Sequence, residues 1–143
     1  MKDQRGFTLY ELLAAISILF VASALIYGVF FGFNKNYNQI SEKNNMDQAA
    51  NLIISTIKQY HLKYDEYMID YNAAEQTAKI GVNASEQILG DDRYSLQIMA
   101  GSSNPEAFTG EKVIYSNSPL SIQLILKDNT GQTYEIETMI KRY

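Results

Sequence analysis

Residues 6–33 read GFTLYELLAAISILFVASALIYGVFFGF, an apolar run with a single acid, Glu11, near its head. No side chain in residues 12–33 carries a formal charge, which leaves about 22 residues, enough to cross a bilayer as a helix. A carboxylate near the bilayer centre costs about 2.5–3.5 kcal/mol. Glu11 at the edge of such a span therefore needs a partner.

The residues around the acid suggest one. Gly6-Phe7-Thr8-Leu9-Tyr10-Glu11, with the short polar stretch 1–5 ahead of it and the apolar run directly behind, resembles the prepilin signal of type IV pilins and pseudopilins. In that family a membrane-embedded peptidase cuts after the glycine and methylates the new amino terminus. The resemblance implies a leader of residues 1–6, a cut between Gly6 and Phe7, and N-methylation of Phe7. It also implies that the new Phe7 amine pairs with Glu11, within one chain or between stacked subunits. The implied partners are a prepilin peptidase, sibling pilin or pseudopilin subunits, an assembly platform with its cytoplasmic ATPase, and the membrane. Nucleic acid enters only indirectly, if the filament serves DNA uptake. Lys2 and Arg5 before the span against Lys35 and Lys43 after it give only a slight charge bias, so the resemblance decides the topology: leader in the cytoplasm and remainder outside.

Two other readings of the same segment stand beside this one. A secretory signal with an apolar core over residues 12–21 would be cleaved after Ala22-Ser23-Ala24, although the apolar run continues through Leu25, Ile26, Val29, Phe30, Phe31 and Phe33. An uncleaved single span would instead anchor a receptor or sensor.

Composition narrows the classes. The chain has 143 residues, room for one domain besides the span. Its 12 Lys and Arg against 16 Asp and Glu give a net charge of −4, which offers no basic footprint for nucleic acid. With no cysteine, disulfides and thiolate metal sites are excluded. No His-Glu-x-x-His, Gly-x-Ser-x-Gly or phosphate-binding glycine loop occurs, and the single histidine, His61, reads as a surface or hydrogen-bonded residue. The chain is expected not to be an enzyme and to need no cofactor. Asp91-Asp92 and Asp128-Asn129 lack the spaced acids of a calcium loop, so no metal site is expected.

Gly28 and Gly32 form a Gly-x-x-x-Gly pair inside the span, the spacing that lets helix backbones approach in lipid. They are candidate assembly residues together with Glu11. Beyond Phe33 the chain turns polar, yet Met46, Ala49, Ala50, Ile53, Ile57, Tyr60 and Tyr64 recur on one helical face. One helix from about residue 7 to residue 64 is expected, and its first half must be covered by lipid or by other subunits. Period-two alternation then predicts strands at 66–71, 77–82, 94–99, 112–115, 120–127 and 133–140. Loops are expected at 81–92 and 101–110. Asp128-Asn129-Thr130-Gly131 reads as a hairpin turn between the last two strands.

The fold class is thus α+β: a long N-terminal helix whose C-terminal half packs on a small antiparallel sheet, a pilin-like arrangement. The expected organisation is 1–6 leader, 7–33 membrane-spanning segment and 34–143 extracytoplasmic domain.

Overall fold

The computed structural model describes residues 8–82 and 85–142. One helix, α1 (Leu9–Lys63), is followed by seven strands: β1 (Glu66–Asn72), β2 (Thr77–Val82), β3 (Ser85–Leu89), β4 (Ser95–Gly101), β5 (Gly110–Tyr115), β6 (Leu120–Lys127) and β7 (Thr133–Ile140). The chain divides between Ser41 and Glu42 into two compact units.

In the first unit the apolar side chains of α1 are uncovered by the chain. Phe30 is 61% exposed, Phe31 69% and Leu19 67%, where a soluble helix would bury such residues. The helix is long and apolar enough to cross a membrane, with a mean hydropathy of 2.4 over its most apolar window. Its serines suit that setting. Ser17 donates to the Leu13 carbonyl and Ser23 to the Leu19 carbonyl, both at 2.8 Å, so neither hydroxyl requires water.

In the second unit one face of α1 closes over the sheets. Met46, Ala50, Ile53, Ile57 and His61 are buried, at steps of three and four residues. They join a core built from Tyr67, Ile69, Ile80, Leu96, Ile98, Ile122, Leu124 and Leu126 among others. Strands such as β1 and β6 send alternate side chains inward, the consequence of a pleated backbone. In β1 these are Tyr67, Ile69 and Tyr71, and in β6 Leu120, Ile122, Leu124 and Leu126.

All strand pairs are antiparallel, and they form two ladders: β3-β2-β1-β5 and β4-β6-β7. The expected α+β architecture, a long helix with a small antiparallel sheet behind it, is therefore present. Strand β4, expected at 94–99, runs two residues further, to Gly101, and two more features differ in detail. Strand β3 lies within the stretch 81–92 expected to be loop. It is an edge strand with only Leu89 buried, so neither face imposes an alternation that the sequence would show. The expected strand 112–115 begins two residues earlier, at Gly110, whose φ of 78° explains the glycine there.

The hairpin turn sits as expected. Asp128 Oδ1 accepts from the amides of Thr130 (2.9 Å) and Gln132 (2.7 Å), and Gly131 takes a φ of 88°. These bonds, that from the Thr130 hydroxyl foremost, hold the Asp128 carboxyl below its ordinary value.

Candidate functional site

Of the residues singled out in the sequence, Glu11, Gly28 and Gly32 lie on described parts of α1. The proposed cleavage pair Gly6 and Phe7, and with it the methylation position Phe7, fall outside the described residues.

Glu11 already has a partner, and it is local. The Thr8 backbone amide donates to Glu11 Oε2 at 2.8 Å and the Thr8 hydroxyl donates to the same oxygen at 2.9 Å. In return the Glu11 amide donates to Thr8 Oγ1 at 3.3 Å. This reciprocal arrangement is a capping box, which satisfies two of the amides that the first turn of a helix leaves free. The carboxylate also lies at the positive end of the helix dipole. Thr8-Leu9-Tyr10-Glu11 carries the Thr-x-x-Glu signature of such a cap. That signal was present in the sequence beside the prepilin resemblance.

A capped Glu11 keeps spare acceptor capacity, since a carboxylate can take about four hydrogen bonds and its second oxygen is not engaged by Thr8. The site can therefore hold the helix start together and still receive a cation.

Gly28 and Gly32 present open backbone. A methyl group added at either would have nothing within 4 Å. Within the chain neither glycine is needed for packing, so their smallness is available to a neighbour.

Tyr60, Tyr64 and Tyr67 lie together at the edge of the core. Tyr60 packs against Tyr64 and Tyr67 at ring distances of 5.4 and 6.1 Å, and Tyr67 is fully buried. His61 is not on the surface. It occupies the core-facing position after Ile57, and its Nδ1 lies 3.2 Å from the Tyr67 hydroxyl. No group of three or more potential metal ligands occurs among the described residues.

Residues 1–27 match the family described as the prokaryotic N-terminal methylation motif. Over 114 residues the chain is 28% identical to transcription elongation factor GreA of Streptococcus pneumoniae (strain Hungary19A-6), spanning 76% of this chain and 69% of that protein. No solved structure matches the chain. The methylation motif and the uncovered apolar helix describe a membrane-anchored chain. Over those residues the chain is similar to the type IV pilin-like proteins.

Proposed function

We propose that this protein is a minor pilin or pseudopilin, a subunit of a type IV pilus-like filament used for DNA uptake or for protein secretion. A prepilin peptidase processes it after Gly6, and Phe7 becomes the methylated amino terminus. Residues 1–6 are the leader, 7–33 the membrane and filament-core segment, and 34–143 the extracytoplasmic domain, displayed at the cell surface after assembly. The partners are the peptidase, sibling subunits, and the assembly platform with its ATPase.

The observation that carries this reading is the coincidence of the methylation motif with an apolar helix that its own chain leaves uncovered. Such a surface must be covered by lipid or by copies of like chains. Gly28 and Gly32 would admit a neighbouring helix, and Glu11 would receive a Phe7 amine.

Mass spectrometry of the amino-terminal peptide, from protein purified out of its host, tests the proposal. Methylated Phe7 is the expected result. Met1 would indicate an uncleaved anchored receptor and Leu25 a secreted protein released after Ala24, and either would overturn the reading.

A further inference from the structure

In the four-stranded ladder, β3 at one end and β5 at the other each have a side that no strand pairs among the described residues. Such edges offer rows of backbone donors and acceptors to another chain, so they are normally blunted by charge or covered. The three-stranded ladder follows that rule. Its edge β7 carries Glu135 and Glu137 on its exposed face, and β4 is bridged at Met99 by Ala107. On β3 and β5 the outward side chains include large apolar ones instead: Ile88 is 68% exposed, Val113 40% and Tyr115 55%.

The two edges match in direction and in phase. Each step β3-β2, β2-β1 and β1-β5 reverses the chain, so β3 runs antiparallel to β5. A second copy in the same orientation therefore brings its β3 antiparallel to the β5 of the first. The Ser116 amide donates to the Asp65 carbonyl at 3.0 Å, in register with the β1-β5 pairs, and bonding alternates along antiparallel strands. Carried across the ladder, that alternation turns the backbone groups of Glu111, Val113 and Tyr115 outward at one edge and those of Glu86 and Ile88 outward at the other. Of these, the Tyr115 carbonyl already accepts from the Ser118 hydroxyl at 3.2 Å. The same five residues set their side chains on the outer face, since Leu89 and Ile114 point to the core.

Shape distinguishes the edges. A cavity of about 360 Å3 lies beside residues 112–115, walled by residues 101–104 and 118–120 and by nothing from β1, so the outer side of β5 is recessed. Strand β3 stands clear, with Ser85, Glu86, Gln87 and Ile88 exposed whichever face they occupy. A projecting edge enters a recess, whereas two β5 edges would press their cavity walls together. Two β3 edges would leave Val113 and Tyr115 uncovered.

We infer that β3 of one copy of this chain adds to β5 of another, with Ile88 opposite Val113 and Glu86 opposite Tyr115, so that the ladder continues from copy to copy. This register sets Ile88 against an apolar side chain with Tyr115 diagonal to it. It leaves Glu111 opposite Gly90, so no like charges meet. Within its own chain Glu86 pairs with Lys79 at 3.4 Å, which offsets the carboxylate at the joint. A contact between unlike edges generates rings or open rows of copies rather than closed pairs. It uses neither α1 nor the amino terminus and stands apart from the filament reading above.

Disulfide trapping tests this, and the chain has no cysteine of its own to confuse it. Hydrogen-bonded antiparallel neighbours lie about 5.5 Å apart at Cα, within reach of a disulfide. Full chain carrying Ile88→Cys is mixed in detergent micelles with full chain carrying Val113→Cys and oxidised mildly. The mixed dimer is the expected product, and Glu86→Cys with Tyr115→Cys should give one as well. Adding Ile88→Pro to the Glu86→Cys chain should abolish the second cross-link with little change in thermal midpoint, because it removes an amide that bonds only to the added strand. Ile88→Lys serves where the proline variant does not fold. Dimers formed by Ile88→Cys alone or Val113→Cys alone as readily as by the mixture would mean a two-fold contact. Equal trapping of Ile88→Cys with Glu137→Cys, on the other ladder, would mean collision only. Either result, the absence of the mixed dimer, or a cross-link indifferent to both Ile88 substitutions would overturn the inference. The unprocessed chain is used throughout, so the outcome does not depend on cleavage after Gly6.

Discussion

The Tyr134 hydroxyl donates to Asp47 Oδ1 at 2.6 Å across 87 positions of sequence. It joins the last strand to the helix at the level where α1 first becomes buried, one residue after Met46. Tyr94, one residue before β4, likewise donates to Glu42 at 3.0 Å. Both phenols are raised above their ordinary value, Tyr134 mainly by this bond and Tyr94 mainly by burial. Each keeps its proton and its role as donor throughout the neutral range.

Removing the Tyr134 hydroxyl should therefore cost stability without opening a cavity. Tyr134→Phe is expected to lower unfolding stability by about 1 kcal/mol, the range of a partly exposed hydrogen bond to a carboxylate. Denaturant unfolding of the full chain in micelles measures it. In a double-mutant cycle, Asp47→Asn should add little once the hydroxyl is gone.

Thr8 separates the two duties assigned to Glu11. Thr8→Ala removes the hydroxyl's two bonds and should cost the helix start about 0.5–2 kcal/mol, while the carboxylate keeps the residue 8 amide and its other oxygen can still meet an amine. Glu11→Ala removes both duties. Cleavage after Gly6 should survive in both variants, whereas the yield of sheared filaments should fall much further for Glu11→Ala. Equal yields would reduce Glu11 to a capping residue.

Glycines divide by their surroundings. A methyl group at Gly101 would overlap the Asn104 carbonyl oxygen, so Gly101→Ala should destabilise the second unit by about 1–3 kcal/mol. Gly28→Ala and Gly32→Ala meet nothing within the chain. Their thermal unfolding should match the unmodified protein, and any deficit should appear only in helix association or filament yield.

Asp128 makes the hairpin turn acid-labile. Its carboxyl is held below the ordinary value, so its contribution is complete above about pH 4 and disappears as pH falls through the lowered value. In Asp128→Asn the acid limb of a stability profile should be shallower. An unchanged limb would mean that the turn amides are satisfied without the carboxylate.

Much of this could be read from the residues because burial leaves a period. The helix face through Met46, Ala50, Ile53 and Ile57, and the alternating strands β6 and β7, are written in apolar spacing. Strand β3 was not legible because an edge strand exposed on both faces obeys no alternation. The division into two ladders depends on pairing partners far apart in sequence, such as Tyr67 with Ile114, which local pattern does not encode. His61 escaped because a polar side chain on an apolar stripe reads as an interruption, although it stands four residues beyond Ile57. The reciprocal bonds of Thr8 and Glu11 were spelled out in a four-residue signature, which the prepilin resemblance overlay.

The inward-folded serines of α1 bear on the medium in which this helix can exist. Because Ser17 and Ser23 spend their protons on the helix's own carbonyls, moving the segment from one apolar surrounding to another disturbs neither bond. At those two positions the rod is indifferent to whether hydrocarbon chains or sister rods would enclose it.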